Sequence, residues 1–278
     1  MMRIDMHTHT HASDGTFSAS QLIHYAREKG LGGIAITDHD TMEALPEARS
    51  SVTEDDSFWL LPGIEFSTET EGTEIHLLGY GLDETDSGLQ DLMLQLKEAR
   101  NNRSFKMVKK LNQLGINITM DQVHFIAGDG IVGRVHVARA MLEQRVVSSI
   151  QEAFDGYLRQ GKPAYVSRYK LVPKETIDMI HQLGGISVLA HPGLIRNDQT
   201  VEEIIEAGIN GIEVYYPTHR LDQKMHYLQL AKNYKLLATG GSDFHAPPQS
   251  RIRETDLGDC AVELEPIRYY FNNRSHNS

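Results

Sequence analysis

A chain of 278 residues is near the upper limit for a single hydrophobic core, and suits one α/β barrel or a domain carrying an insertion. Its 40% apolar and 23% charged content is ordinary for a globular protein, and a formal charge of −11 argues against a broad basic footprint for long nucleic acid. The single cysteine, Cys260, excludes an internal disulfide framework and fits a reducing, cytoplasmic setting.

The chain passes from Met1-Met2-Arg3 straight into a His-x-His motif, with nothing resembling a signal peptide. No apolar run approaches the roughly 18 residues of a membrane span. Strand-like and helix-like segments then alternate, which predicts an α/β fold with parallel strands. Residues 3–6 read as a first strand. Ser18-Ala19-Ser20-Gln21 has the form of a capping box, opening a helix that ends at Gly30. Residues 33–37 are a buried-strand run ending at TDHD, residues 60–66 carry Glu65 near their end, and residues 74–80 carry His76.

Past residue 86 the alternation stops. A long amphipathic pattern at 89–114 precedes helices expected at 120–127, 135–146 and 150–159, so 86–164 reads as a helical insertion capping the substrate. Residues 1–85 and 165–278 would be the two halves of the barrel, the second with a short tail frayed from about residue 272. In the second half Pro173 suits the first position of a helix running to 183. Strands at 186–190, 211–216 and 236–239 alternate with helices at 200–207 and 220–234.

Nine side chains of metal-binding type are spread over these segments: His7, His9, Asp14, His39, Glu65, His76, His191, Asp243 and His245. Six imidazoles and three carboxylates suit Zn, Mn or Fe better than a thiol-loving metal or an all-oxygen calcium site. Nine ligands are too many for one ion. Shared among two or three divalent ions, with Glu65 bridging two, they leave positions open for water and substrate. All but Asp14 lie in or just after a predicted strand, where the rim of a parallel barrel gathers its site. Asp5, on the same strand face as His7 and His9, could orient an imidazole N–H. Each motif has a plainer reading on its own: HxH as surface histidines, Asp38 as the cap of a helix near Thr41, SDFH as a turn. Their joint placement at strand ends is what argues for a site.

The motifs DMHTH with SDG, TDHD, AHPG and SDFH resemble the PHP family, the polymerase and histidinol phosphatase domain of metal-dependent phosphoesterases, over residues 3 to about 248. GIEFS, IHLLGY, GRVHVAR and GKPAYV add likeness to its stand-alone members that cleave nucleotide phosphates or degrade short RNA from the 5′ end. The resemblance implies a distorted (β/α)7-type barrel with a helical insertion. It assigns one ion to His7, His9, Glu65 and Asp243, a second to Glu65, His76 and His191, and a third to Asp14, His39 and His245, with Asp14, Glu65 and Asp243 as the catalytic carboxylates. It implies hydrolysis of a small nucleotide phosphate ester or of a 5′-phosphorylated RNA end by hydroxide that the ions generate near neutral pH.

For the substrate, Arg134 at the start of a predicted helix is the leading phosphate handle, since an arginine fork and helix N-terminal amides both favour anions. Lys162, Arg168, Lys170 and Arg196 form a looser basic set, and His219 is a candidate to protonate the leaving group. Similar nucleotide-cleaving enzymes often continue AHPG with Arg-Tyr; here Leu194-Ile195 follow, and Arg196 stands two positions later. Three alternatives stand against this reading. A histidinol-phosphate phosphatase is disfavoured by GRVHVAR. An amidohydrolase leaves Glu65 and the Asp243/His245 pair unexplained. An inactive metal-binding module would have lost ligands.

Overall fold

The computed structural model describes residues 1–53, 57–248 and 255–274. Eight strands form one sheet: β1 (Arg3–Asp5), β2 (Gly33–Ile36), β3 (Trp59–Thr70), β4 (Thr73–Tyr80), β5 (Ile186–Leu189), β6 (Gly211–Tyr215), β7 (Leu237–Gly240) and β8 (Val262–Glu263). Their spatial order is β7-β6-β5-β4-β3-β2-β1-β8. The sheet curls until its ends nearly meet: Met6 N–H donates to Gly240 O at 3.1 Å and His9 N–H to Phe244 O at 2.9 Å. This is the expected distorted barrel of seven strands, with β8 added antiparallel beside β1. Apolar runs such as GIAI in β2 and ISVL in β5 are buried at every position, as strands covered on both faces must be.

The expectation of parallel strands throughout is corrected at β4, which runs antiparallel to both β3 and β5. Glu71 and Gly72 (φ 47° and 83°) are both left-handed, the backbone a two-residue hairpin between Thr70 and Thr73 requires. The reversal puts His76, near the start of β4, beside Ser67 near the end of β3, on the rim that also carries Glu65.

Reversal also leaves the end of β4 on the far rim. Helix α3 (Ser87–Gln113), about 40 Å long at 1.5 Å per residue, carries the chain back. Leu89 packs into the barrel core, whereas Met107, Val108 and Leu111 pack into a separate core with α4 (Met120–Ala127), α5 (Arg134–Glu143) and α6 (Ile150–Ala153), which continues as a π-helical turn, Phe154–Leu158. Ile131 N–H donates to Ala12 O at 2.8 Å, seating this helical unit on the loop after β1.

The remaining helices cover the barrel. Helix α1 (Ala19–Glu28) has the expected capping box between Ser18 and Gln21, and α2 (Leu45–Ser50) follows β2. Helix α7 (Pro173–Gln182) begins on its proline, and α8 (Asp198–Glu206) and α9 (Leu221–Tyr234) follow β5 and β6. Strand β8 and α10 (Leu264–Arg274) were not anticipated. Residues 272–274, expected to fray, belong to α10; residues 275–278 lie outside the described residues.

At the closing seam, a Cβ on Gly241 would lie 2.3 Å from His7 Cβ and 2.6 Å from His7 N. Backbone so close leaves no room to yield, so Gly241→Ala is expected to lower stability by about 2 kcal/mol or more. Denaturant unfolding measures this; an unchanged midpoint would mean the seam relaxes freely.

Candidate metal centre

The nine expected ligands converge on the rim. Among the described residues three groups have ligand atoms within 4.8 Å of one another: His7, His9, Glu65 and Asp243; His9, Asp14, His39 and His245; and His39, Glu65 and His76. Glu65 stands at the centre. Its Oε2 lies 3.3 Å from both His7 Nε2 and His9 Nε2 and 2.9 Å from His39 Nδ1; its Oε1 lies 2.8 Å from His76 Nδ1 and 3.0 Å from His191 Nε2. On the other side His245 Nε2 is 3.0 Å from Asp14 Oδ1, and its Nδ1 bonds Asp243 O at 2.8 Å.

The backbone is strained where these side chains leave it. His191 (φ 29°) and Asp243 (φ 51°) both adopt positive φ, which non-glycine residues hold only when their surroundings enforce it. A carboxylate does so at His191: Glu213 Oε2 accepts its N–H at 2.8 Å. The other oxygen of Glu213 accepts from His7 Nδ1 at 3.1 Å, which turns Nε2 toward Glu65. Tyr216 Oη donates to Asp243 Oδ2 at 2.9 Å.

Imidazoles and carboxylates of the cluster hold one another in their charged forms. Burial opposes charge on every imidazole, yet Glu213, Glu65 and Asp243 together hold His7 well above its ordinary value. The bonds and charges of Asp243 and Glu65 outweigh burial at His9, raising it to about 9, and Glu65 and Glu74 do the same for His76, also to about 9. Burial would raise the two carboxyls, but His39, His7 and His76 hold Glu65, and His245, His39 and His9 hold Asp14, well below the usual carboxylate range. Among the buried side-chain atoms without a well-formed hydrogen bond, four belong to this centre: His7 Nε2, His9 Nε2, His39 Nδ1 and Glu65 Oε2. Three imidazole nitrogens crowd one carboxylate oxygen at 2.9–3.3 Å without well-formed hydrogen bonds, a costly arrangement that divalent ions would satisfy. The donor set fits the metals the residues suggest.

One expectation about a supporting residue, Asp5, is corrected, and the plainer reading of Asp38 as a helix cap does not hold. Asp5 orients no imidazole; its oxygens accept the N–H groups of His7, Ser242 and Gly258 at 3.2, 2.9 and 2.8 Å, pinning three loops. Asp38 caps no helix; it accepts from Thr10 N–H, Thr10 Oγ1 and Ser13 Oγ at 2.7, 2.7 and 2.6 Å, fixing the loop that delivers Asp14.

A cavity of about 470 Å³ opens onto the centre, lined by Asp14, His39, His76 and His245 below and by five arginines around it: Arg100, Arg103, Arg134, Arg139 and Arg168. Arg134 and Arg168 were expected here. Both pair with Glu74, Arg134 Nη2 at 2.8 and 3.0 Å from its two oxygens, and His76 Nε2 is 2.9 Å from the same carboxylate. Burial would raise Glu74, but His76, Arg168 and Arg134 hold it well below the ordinary value, hence ionised. Arg100 donates to Asp40 from Nε (2.8 Å) and Nη2 (2.5 Å) and to Ser67 Oγ (3.0 Å); Arg139 Nη2 donates to Asp14 O at 2.7 Å.

Other expected substrate residues lie elsewhere. Lys162 and Arg196 are exposed and do not line this cavity, and exposed Lys170 pairs with Glu69 at 2.6 Å. Both ring nitrogens of buried His219 are engaged by backbone, Nδ1 with Val214 O at 2.9 Å and Nε2 with Gly193 N–H at 3.1 Å. It braces the AHPG loop against β6.

Sequence reasoning missed Glu213, Glu74, Arg100, Arg103 and Arg139. The signal for Glu213 was a carboxylate inside the apolar strand run GIEVY, which burial tolerates only with partners. Replacing it by Gln puts an amide NH₂ opposite His7 Nδ1 and favours the tautomer whose Nε2–H faces Glu65. Glu213→Gln is therefore expected to weaken metal binding roughly 10–100-fold, read by equilibrium dialysis of the metal-free protein. Unaltered affinity would mean that His7 is oriented without it.

A buried His/Asp/Glu cluster beneath an arginine-lined cavity, on a barrel rim, defines a metal-dependent hydrolase of phosphoric esters. The chain belongs to the PHP domain family, whose model matches residues 5–162. It is 34% identical to the 5′-3′ exoribonuclease Rnm of Escherichia coli, over 87% of this chain and 85% of that one. It is 31% identical to the 3′,5′-nucleoside bisphosphate phosphatase of Chromobacterium violaceum, over 96% and 94%. A solved structure from Bifidobacterium adolescentis, described as a candidate metal-dependent phosphoesterase, superposes with a TM-score of 0.87 at 29% identity, covering 96% of this chain and 94% of that one. Among the described residues no helix is long and apolar enough to cross a membrane.

Proposed function

We propose that this phosphoesterase acts on small nucleotides bearing a terminal phosphate, 3′,5′-bisphosphonucleotides first among them, and on the 5′-phosphorylated end of short RNA. The observation that carries the reading is the set of five arginines around a cavity whose floor is formed by four of the candidate ligands. Such a cavity offers positive forks to more than one phosphate group while placing one ester against the metal centre.

In this reading His7, His9, Glu65 and Asp243 hold one ion, Glu65, His76 and His191 a second, and Asp14, His39 and His245 a third; Mn, Zn and Fe suit the set. Bound there, such ions supply a water-derived nucleophile near neutral pH and withdraw charge from phosphorus. The chain does the rest. Glu213 and the Asp243 carbonyl fix imidazole tautomers, Arg134 and Arg168 grip phosphate, and the 86–164 unit lowers α5 over the cavity as a cap. The substrate is small, because the five arginines line a single cavity of about 470 Å³. A cytoplasmic location goes with such substrates.

The test is to express the protein with Mn, measure its bound metal, and follow phosphate release from 3′,5′-bisphosphoadenosine, adenosine monophosphate, histidinol phosphate and a short 5′-phosphorylated RNA. Preference for the bisphosphate or the RNA is expected. Preference for histidinol phosphate would overturn the nucleotide reading and leave the metal centre standing.

A further inference from the structure

Glu74 is the second residue of β4, two before His76, so both side chains leave the same face of the strand. Its carboxylate takes three partners drawn from three parts of the chain. His76 binds it at the metal centre, Arg134 reaches it from the first turn of α5, and Arg168 reaches it from the segment before α7. Arg168 is itself nine-tenths buried, and its Nη1 has no hydrogen bond although the residue lines the cavity. Two guanidinium groups therefore stand beside the candidate ligands with one carboxylate between them, leaving a net charge of one where the arginines alone would carry two.

We propose that Glu74 sets the charge of this anion subsite and positions His76. A phosphodiester carries one negative charge and a terminal phosphate close to two. Glu74 lowers the pull of Arg134 and Arg168 on a dianion more than on a monoanion, so it narrows the preference for terminal phosphates that the bare arginines would impose. Through the His76 Nε2–H bond it also keeps the Nδ1 lone pair facing Glu65, the orientation a metal ligand needs. This rests on reading Arg134 and Arg168 as the phosphate grip.

Two variants separate the two jobs. In Glu74→Gln the charge is lost, while the amide oxygen still accepts from His76; in Glu74→Ala both are lost. Binding is measured by calorimetry at low salt on the Mn-loaded protein, with inorganic phosphate as the dianionic probe and dimethyl phosphate as the monoanionic one. Glu74→Gln should bind phosphate roughly tenfold tighter, the scale of one charge-assisted hydrogen bond, and dimethyl phosphate with far less change. Glu74→Ala should gain on phosphate too, but lose roughly tenfold or more in metal affinity, which Glu74→Gln should retain.

Equal gains for both probes, or none, in a Glu74→Gln protein that melts like the wild type would overturn the charge-setting role. Full metal affinity in Glu74→Ala would overturn the positioning role. Arg134→Ala checks the underlying premise: if it binds phosphate as wild type does, the grip lies elsewhere and the proposal falls with it. None of these readouts needs turnover, so a failed substrate assay would sink the nucleotide reading alone.

Discussion

Glu65→Gln is expected to lower kcat by about 10³-fold or more and to reduce the metal bound per chain. No other side chain of the centre is approached by so many ligands: five imidazole nitrogens lie within 3.3 Å of its two oxygens. Glutamine has nearly the same shape, so the barrel is kept and the loss is electrostatic. One negative charge disappears from a site that is 1% exposed, and an NH₂ donor is turned toward nitrogens whose lone pairs must face the ions. Phosphate release together with metal analysis by mass spectrometry measures both effects. Retention of more than a tenth of the activity at full metal content would remove Glu65 from the centre.

How far this site was legible in the sequence depends on the distance over which each signal acts. The seven barrel strands and the nine ligand-type residues were readable because strand periodicity and motifs such as DMHTH and SDFH are local. Strand direction was not, although the signal was local as well: Glu71-Gly72 is a two-residue turn, and weighing it would have reversed β4. Supporting residues were harder. Asp38 precedes a helical segment and reads as its cap, but β1 and β2 lie side by side and bring Thr10 and Ser13 within its reach. Arg100 and Arg103 read as the polar face of a long amphipathic helix. They become cavity residues only because β4 ends on the far rim and α3 must pass the site on its way back. Glu74 meets Arg134 across 60 residues of sequence and Glu213 meets His7 across 206, separations that no window of local pattern spans. In the opposite direction, His219 and Lys170 had the chemistry for the site, and folding gave them other partners.

Removing the metal should make stability fall as the pH rises above about 6.5. In the metal-free protein His9 and His76 titrate near 9 against 6.5 for a free imidazole, because carboxylates outweigh burial. A folded value above the unfolded one means that protonation favours the fold. That contribution is complete below about 6.5 and is lost as the pH rises through about 9, on the order of 3 kcal/mol for fully buried His9. Glu65 and Asp14 are depressed, so theirs is complete above the unfolded carboxylate values of 4.5 and 3.8 and is lost only as the pH falls well below them. The chelated protein should therefore be most stable between about pH 4.5 and 6.5 and should weaken steadily up to pH 9. Divalent ions need neutral imidazoles, so loading must expel protons over the same interval and supply the missing positive charge themselves. Melting temperatures with Mn and with chelator should diverge above pH 6.5, the loaded protein holding steady while the chelated one falls. Parallel curves would mean that the imidazoles are already neutral without metal, and that Glu65 and Asp14 are held by something other than their protonated neighbours.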